Sequence, residues 1–384
     1  MDKPAVALIP CTSYDQDEVE AAVRRALDLL GGMTRFVQPG QRVLIKPNLL
    51  LPSSPERAIV THPSVLRAVL RQVQAAGGSA FIADNPVVIP VSRRGWEGAY
   101  ERTGWAAVAA ETGTRLNTSI VPEQHPYPEG KLLHLVDASS FLAEADVVIS
   151  LPKLKTHNFM RFTGAVKNLF GVVPGTVKLG YHLKLQTAER FADMLLDLAG
   201  FVRPALTIMD GVVGMDGHGP SGGRPFAANV VLAGTDPVAV DVAALAVVGQ
   251  EPLGVPTVAA AARRGLSTGR PGDLNIVGEE LSRVRASGFR MPPGRPSDVN
   301  HIPAFLRPLA TSQLVATPYV TGRCIGCGQC IEHCPAKTIV RIHGKAYIRP
   351  ANCIRCYCCH ELCPEQAIDL RNPLLARILA GLSR

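Results

Sequence analysis

Short apolar runs recur through the first 280 or so residues, each followed by a longer stretch whose nonpolar positions have helical spacing. The clearest runs are VALIP (6–10), RVLIK (42–46), SAFIAD (79–84), DVVIS (146–150), ALTIMD (205–210) and NVVLAG (229–234). Such alternation predicts an α/β domain with an open, largely parallel sheet. Helix starts are marked by Pro63 behind Thr61-His62 and by Pro237 behind Thr235-Asp236, prolines at first-turn positions after capping residues. Gly31-Gly32 and Gly77-Gly78 mark helix ends. From Arg290 to Thr321 the pattern fades and prolines accumulate (Pro292, Pro293, Pro296, Pro303, Pro308, Pro318), which predicts a linker. The expected order is a large α/β domain over 1–290, a linker over 291–320, a small α+β domain over 321–372 and an amphipathic helix over 373–384. That last helix places Leu374, Leu375, Ile378, Leu379 and Leu382 on one face. Packing on the protein suits it better than a membrane-surface anchor, given so little basic charge.

The small domain is defined by cysteine. Eight of the ten cysteines form two copies of C-x2-C-x2-C-x3-C-P, Cys324 to Pro335 and Cys353 to Pro364. Three thiolates two residues apart can wrap one corner of an iron–sulfur cube, while the fourth, followed by proline, reaches the neighbouring cube. The expected ligand sets are Cys324, Cys327, Cys330 and Cys363 for one [4Fe–4S] cluster, and Cys353, Cys356, Cys359 and Cys334 for the other. Zinc would not explain two identical four-cysteine runs with trailing prolines, and a disulfide framework does not suit cysteines confined to one tail. Between the motifs, TIVRIHGKAYI alternates as a short hairpin turning at His343-Gly344. Cys358 is off the spacing and reads as a spare small residue beside a cluster. Cys11 reads as a small buried residue.

A chain of 384 residues is too long for a ferredoxin alone, so the small module serves something larger. With 47% hydrophobic but only 5% aromatic residues and 35 glycines, the composition suits aliphatic layers joined by tight turns. Neither a signal peptide nor an apolar run of the roughly 20 residues needed to span a membrane is visible, which makes the cytoplasm the expected compartment. The formal charge is +8. If each cluster with its thiolates carries roughly −2, the total falls to about +4, and no basic block interleaved with aromatics supports nucleic-acid binding.

Polar residues follow the strands: Lys46 and Asn48, Asp84 and Asn85, Lys153 and Lys155, Asp210, Asp236. In an open α/β sheet that edge binds ligands. The segment 152–175 adds His157, Arg161, Lys167 and Asn168, with Lys178 and His182 beyond it, so an anion site is one reading. The other is that these lysines pair with Asp84, Asp210 and Asp236 as structural salt bridges. The loop GMDGHGPSGG (214–223) is permissive enough for Gly217 and Gly219 to turn amides towards an anion, or it is a plain surface turn. His218 within it is an ordinary loop histidine unless a ligand lies nearby. No flavin or nicotinamide site is recognisable.

PKLKTH, GAVKNLFG, VPGTVKLGYH, DGVVGMDGHGPSGG and AGTDPVAVD together resemble the family catalogued as domain of unknown function 362, over roughly residues 1–290. Its members often carry a C-terminal dicluster ferredoxin. Where the family commonly reads M-x-G-N-G-P, this chain has Met215-Asp216-Gly217-His218-Gly219-Pro220. The resemblance implies iron–sulfur electron transfer and supplies no substrate. Three functions are open. The first is a ferredoxin-coupled oxidoreductase, in which Lys46, Asn48, Lys153, Lys155, Lys167, Asn168, Gly217 and Gly219 bind an anionic substrate or cofactor. There His157 or His182 supplies protons, and Asp210 and Asp236 orient them. The second is an electron carrier or docking subunit for a partner enzyme, and the third an iron–sulfur redox sensor. The tail from Thr321 carries nine Lys/Arg and four Asp/Glu, which predicts an acidic redox partner such as a small ferredoxin or flavodoxin.

Overall fold

The computed structural model describes residues 3–86, 92–292, 305–306, 313–374 and 378. Among the described residues, twelve strands belong to the large domain: β1 (Ala5–Pro10), β2 (Arg42–Pro47), β3 (Ser79–Ile82), β4 (Arg115–Leu116), β5 (Pro122–Pro126), β6 (Leu135–Ser139), β7 (Val147–Leu151), β8 (Lys153–His157), β9 (Arg161–Thr163), β10 (Leu206–Asp216), β11 (Arg224–Gly234) and β12 (Asn275–Gly278). Strands β5 and β6 form a separate hairpin, and the others make one sheet in the order β12-β1-β11-β10-β7-β2-β3-β4, with β8 on β10 and β9 on β8. All six apolar runs of the sequence became strands of this sheet. The sheet is largely parallel: β11 runs against β1 and β10, and β9 against β8.

Successive strand residues feed two separate cores, because a strand alternates its side chains between faces. Leu8, Leu44, Val148, Met209 and Leu232 face helices Ala188–Val202 and Pro237–Val247. Ile9, Ile45, Ile149, Ile208 and Val231 face helices Gln16–Leu29 and Pro63–Ala75. Pro63 and Pro237 open their helices, capped by the His62 and Asp236 side chains. Pro152 cannot donate to a ladder, so β7 ends there and β8 carries the chain past the sheet edge, beside the second half of β10.

The small domain has β13 (Thr317–Val320), β14 (Ile339–Ile342), β15 (Lys345–Ile348) and β16 (Ile368–Arg371). Strands β14 and β15 form the expected hairpin, with φ of 47° at His343 and 75° at Gly344, as a two-residue primed turn requires. Strand β13 lies in the stretch read as linker. It pairs antiparallel with β16, so the small domain begins several residues earlier than 321. Most of the proline-rich segment and of the helix expected over 373–384 lies outside the described residues. Among the described residues no helix is long and apolar enough to cross a membrane.

The domains meet where the β10–β11 loop touches the second cysteine motif. Ser221 Oγ donates to the Glu361 carbonyl at 2.9 Å, Gln366 Nε2 donates to the Ser221 carbonyl at 2.8 Å, and His360 Nε2 stands 3.1 Å from the His218 carbonyl.

Candidate functional site

Five lysines gather where the parallel strands end, and they divide into two groups. Lys46 closes β2 fully buried, its Nζ 3.1 Å from Asp84 Oδ1 and 3.4 Å from Asn168 Oδ1. Lys153 opens β8 equally buried, its Nζ 2.8 Å from Asp210 Oδ2 and 2.6 Å from the Tyr14 hydroxyl. Tyr14 donates in turn to Asp210 Oδ1. Burial pulls both ammonium pKa values down and the facing carboxylate opposes it. For these two lysines the salt-bridge reading holds.

Lys155, Lys167 and Lys178 form no ion pair among the described residues. Lys155 Nζ donates to the Ile59 carbonyl at 2.7 Å, and Lys178 Nζ donates to the Asn85 carbonyl. The ammonium groups of Lys167 and Lys178 each lie 5.7 Å from the centre of the Phe170 ring. Burial lowers all three pKa values, that of Lys178 to about 7; neighbouring lysines lower those of Lys155 and Lys178 further, while the Glu361 carboxylate opposes the shift of Lys155 and Lys167. These three side chains line a cleft with about 680 Å³ of empty space, counting the part open to solvent. Asn48, Asp84, Asn85, Asn168, Phe170 and His182 complete the large-domain wall, and Cys358, Glu361 and Leu362 of the small domain close it.

The short helix Ala165–Asn168 holds Lys167 and Asn168 in place, and its own anchor is Asp241, which sequence reasoning did not single out. Asp241 accepts from the Ala165 and Val166 amides at 2.6 and 3.1 Å, satisfying helix-start donors that have no partner within the helix. Burial raises the Asp241 pKa to about 7. Cys358 and Glu361 were missed as cleft residues too, because only the docking of two domains brings them there. Lys178 and Asn85, both named from the sequence, do line the cleft.

Several expected site residues lie elsewhere. Asp236 caps helix Pro237–Val247, accepting from Val238 and Ala239. It follows β11, which runs against its neighbours, so Gly234 sits opposite Thr207 at the far edge of the sheet from the cleft. The glycine loop turns its amides inward: Gly217 N donates to the Arg290 carbonyl at 2.7 Å and Gly219 N to Thr156 Oγ1 at 3.2 Å. A side chain at Gly219 would collide with the Thr156 backbone, so this glycine serves loop packing on β8. His218 abuts His360.

The two candidate proton donors are neutral. His157 Nδ1 accepts from the Phe159 and Met160 amides at 3.1 and 3.2 Å, which leaves its proton on Nε2, 3.2 Å from Glu361 Oε1. Burial and nearby cations hold its pKa well below the usual histidine range. His182 lines the cleft stacked on Phe191 with ring centres 4.6 Å apart, and burial takes its pKa to about 3.

All ten cysteines of the chain are unbridged, and nine of them lie in the small domain. One void of about 400 Å³ is lined by Cys324, Cys327, Cys330 and Cys363, and another of about 320 Å³ by Cys334, Cys353, Cys356 and Cys359. Backbone amides already point at sulfur: Ala346 N to Cys324 at 3.5 Å, Thr338 N to Cys334 at 3.4 Å and Ala367 N to Cys363 at 3.2 Å. Four converging thiols with amide donors fit an iron–sulfur cluster in each void. Cys358 is buried beside Cys356 and Cys359 and also faces the cleft. It therefore stands between one cysteine ring and the lysines rather than being merely spare.

The profile of the family described as Domain of unknown function (DUF362) matches residues 43–246, and that of a 4Fe-4S dicluster domain matches residues 319–364. A thylakoid-associated protein of Synechocystis sp. is 36% identical over 272 residues, covering 68% of this chain and 80% of that relative. The lactate racemase apoprotein from Thermoanaerobacterium thermosaccharolyticum aligns with 61% of this chain at 16% identity and a TM-score of 0.37, and the alignment spans only 55% of its own length. The dicluster match makes the small domain an iron–sulfur, ferredoxin-type electron-transfer domain. The match to more than half of the chain, with the relative covered over most of its length, shows that the chain belongs to the DUF362 family.

Proposed function

We propose that this protein is a ferredoxin-coupled oxidoreductase that passes single electrons to a small anion held in the cleft between its domains. The observation carrying this reading is the cleft wall, with unpaired Lys155, Lys167 and Lys178 on one side and Cys358 and Glu361 of the second cysteine motif on the other. In this reading Cys324, Cys327, Cys330 and Cys363 hold one [4Fe–4S] cluster, and Cys334, Cys353, Cys356 and Cys359 the other. Clusters of this kind exchange one electron at a time.

The remaining work falls to the chain's own residues. Lys155 and Lys167 bind and orient the anion, while Phe170 and Leu362 shield it from water and so strengthen the attraction. Lys178 carries a proton on Nζ near neutral pH, which makes it the proton source in place of His157 and His182. At the other end Cys327 and Ile325 are exposed, with Ile325 67% accessible; Arg323 is close in the chain and Lys345 reaches the same end, its Nζ 3.4 Å from the Gly322 carbonyl. An acidic ferredoxin or flavodoxin suits that surface. Convergence of three lysines on a concave site favours this reading over a docking platform or a sensor.

Calorimetry of the anaerobic holoprotein with succinate and with inorganic phosphate tests the reading. Binding should be measurable with the native chain and lost in Lys167→Ala at unchanged iron content. Equal binding by Lys167→Ala and the native protein would remove the cleft from the account.

A further inference from the structure

The two cysteine rings meet solvent differently. In the ring of Cys324, Cys327, Cys330 and Cys363, Cys327 is exposed, whereas the four cysteines of the other ring are buried or half-buried. The turn carrying Cys327 packs under the tip of the β14–β15 hairpin, where a side chain on Gly326 would collide with the Gly344 carbonyl. Ile339, Ala346 and Ile348 are buried on the inner face of that hairpin, and Arg341, two residues beyond Ile339 and opposite Ala346, lies on the same face. Its guanidinium reaches the glycines on either side of Cys327: a Cβ on Gly328 would stand 3.0 Å from Nη2, and one on Gly326 3.6 Å from Nη1. Among the described residues Arg341 is in no ion pair, whereas Arg323 meets Asp369 at 3.3 Å.

We infer that an acidic one-electron carrier docks at Arg341, so that electrons enter through the cluster of Cys324, Cys327, Cys330 and Cys363. The inference rests on the acidic-carrier reading above and names its docking point. A cluster with its four thiolates carries roughly −2, and Glu365 adds a carboxylate to the lining of the same void. An acidic carrier is therefore repelled at the exposed corner unless a cation stands there. Arg341 offsets that repulsion, and its planar fork of donors suits a carboxylate. Exposed Ile325, in the same turn, adds an apolar contact. Lys337 is the corresponding exposed cation of the other ring, but its Nζ donates to the Glu332 carbonyl at 3.1 Å and the adjoining Cys334 is buried. In the docked complex the carrier gives up one electron and the cluster gains it, with no bond made or broken.

The test is the affinity of oxidised flavodoxin for the anaerobic holoprotein, measured by calorimetry at low ionic strength. Arg341→Glu should weaken binding about tenfold and the milder Arg341→Gln about threefold, while Lys337→Glu changes it less than about twofold. Iron and sulfide content show that each variant keeps both clusters. The difference between the two sites should fade as salt shortens the Debye length to about 3 Å near 1 M. Arg341 variants that bind like the native chain, or a Lys337→Glu loss as large as theirs, overturn the docking point and leave an acidic carrier standing. Native protein that does not bind flavodoxin at all removes the acidic carrier, and the inference with it.

Discussion

Lys46 and Lys153 lie within the same sheet edge as Lys155, Lys167 and Lys178, yet among the described residues the first two each form an ion pair with a buried carboxylate and the other three form none. An ammonium withdrawn from water is costly, and a facing carboxylate offsets that cost. The paired lysines are therefore part of the scaffold. The unpaired ones are held in place by the fold without an ion-pair partner, and in the proposed function their charge meets an anion. Lysine at a strand end thus carries no single meaning in this protein, and what separates the two kinds is the residue across the sheet.

The largest expected effect breaks the paired half. Lys153→Met leaves Asp210 buried without its ammonium and should cost about 3–5 kcal/mol of stability in denaturation of the holoprotein. Lys167→Met should cost less, about 1 kcal/mol, because Lys167 is in no ion pair and Glu361 keeps Lys155 beside it. Similar losses from both would erase the distinction. Next in size is Asp241→Ala, which frees two amides at the start of the helix carrying Lys167. It should cost about 1–3 kcal/mol and weaken succinate binding without loss of iron.

A smaller effect concerns pH. The folded Lys178 pKa of about 7 lies below its unfolded value, so between the two the unfolded chain binds more protons. Without an anion, stability contributed by this group rises with pH across that interval and is lost as pH falls through about 7. Anion affinity runs the other way: Lys178 is charged below about 7, so succinate should bind more weakly at pH 8 than at pH 6. Affinity that climbs with pH would exclude Lys178 from the anion's surroundings.

The parts legible in the sequence were those whose physics is local. Six apolar runs became six sheet strands because a strand covered on both faces is apolar throughout. The cysteine spacing predicted two sets of four, and each set rings its own void. The hairpin at His343-Gly344 follows from turn chemistry alone. What the sequence left open was set at longer range. The apolar run NVVLAG does not state its direction, and reversal of β11 carried Asp236 to the wrong edge. Which lysines find a carboxylate depends on strand neighbours. Cys358 and Glu361 reach the cleft only through docking of His360 and Gln366 against the β10–β11 loop.

The central claim is that the anion cleft adjoins the cysteine ring containing Cys356 and Cys359, through Cys358. The most direct measurement is electron paramagnetic resonance of the reduced holoprotein, titrated with succinate. The account predicts that one of two cluster signals shifts on binding, that Lys167→Ala abolishes the shift, and that Cys358→Ala alters it while keeping full iron. Succinate that binds yet leaves both signals unmoved would contradict it.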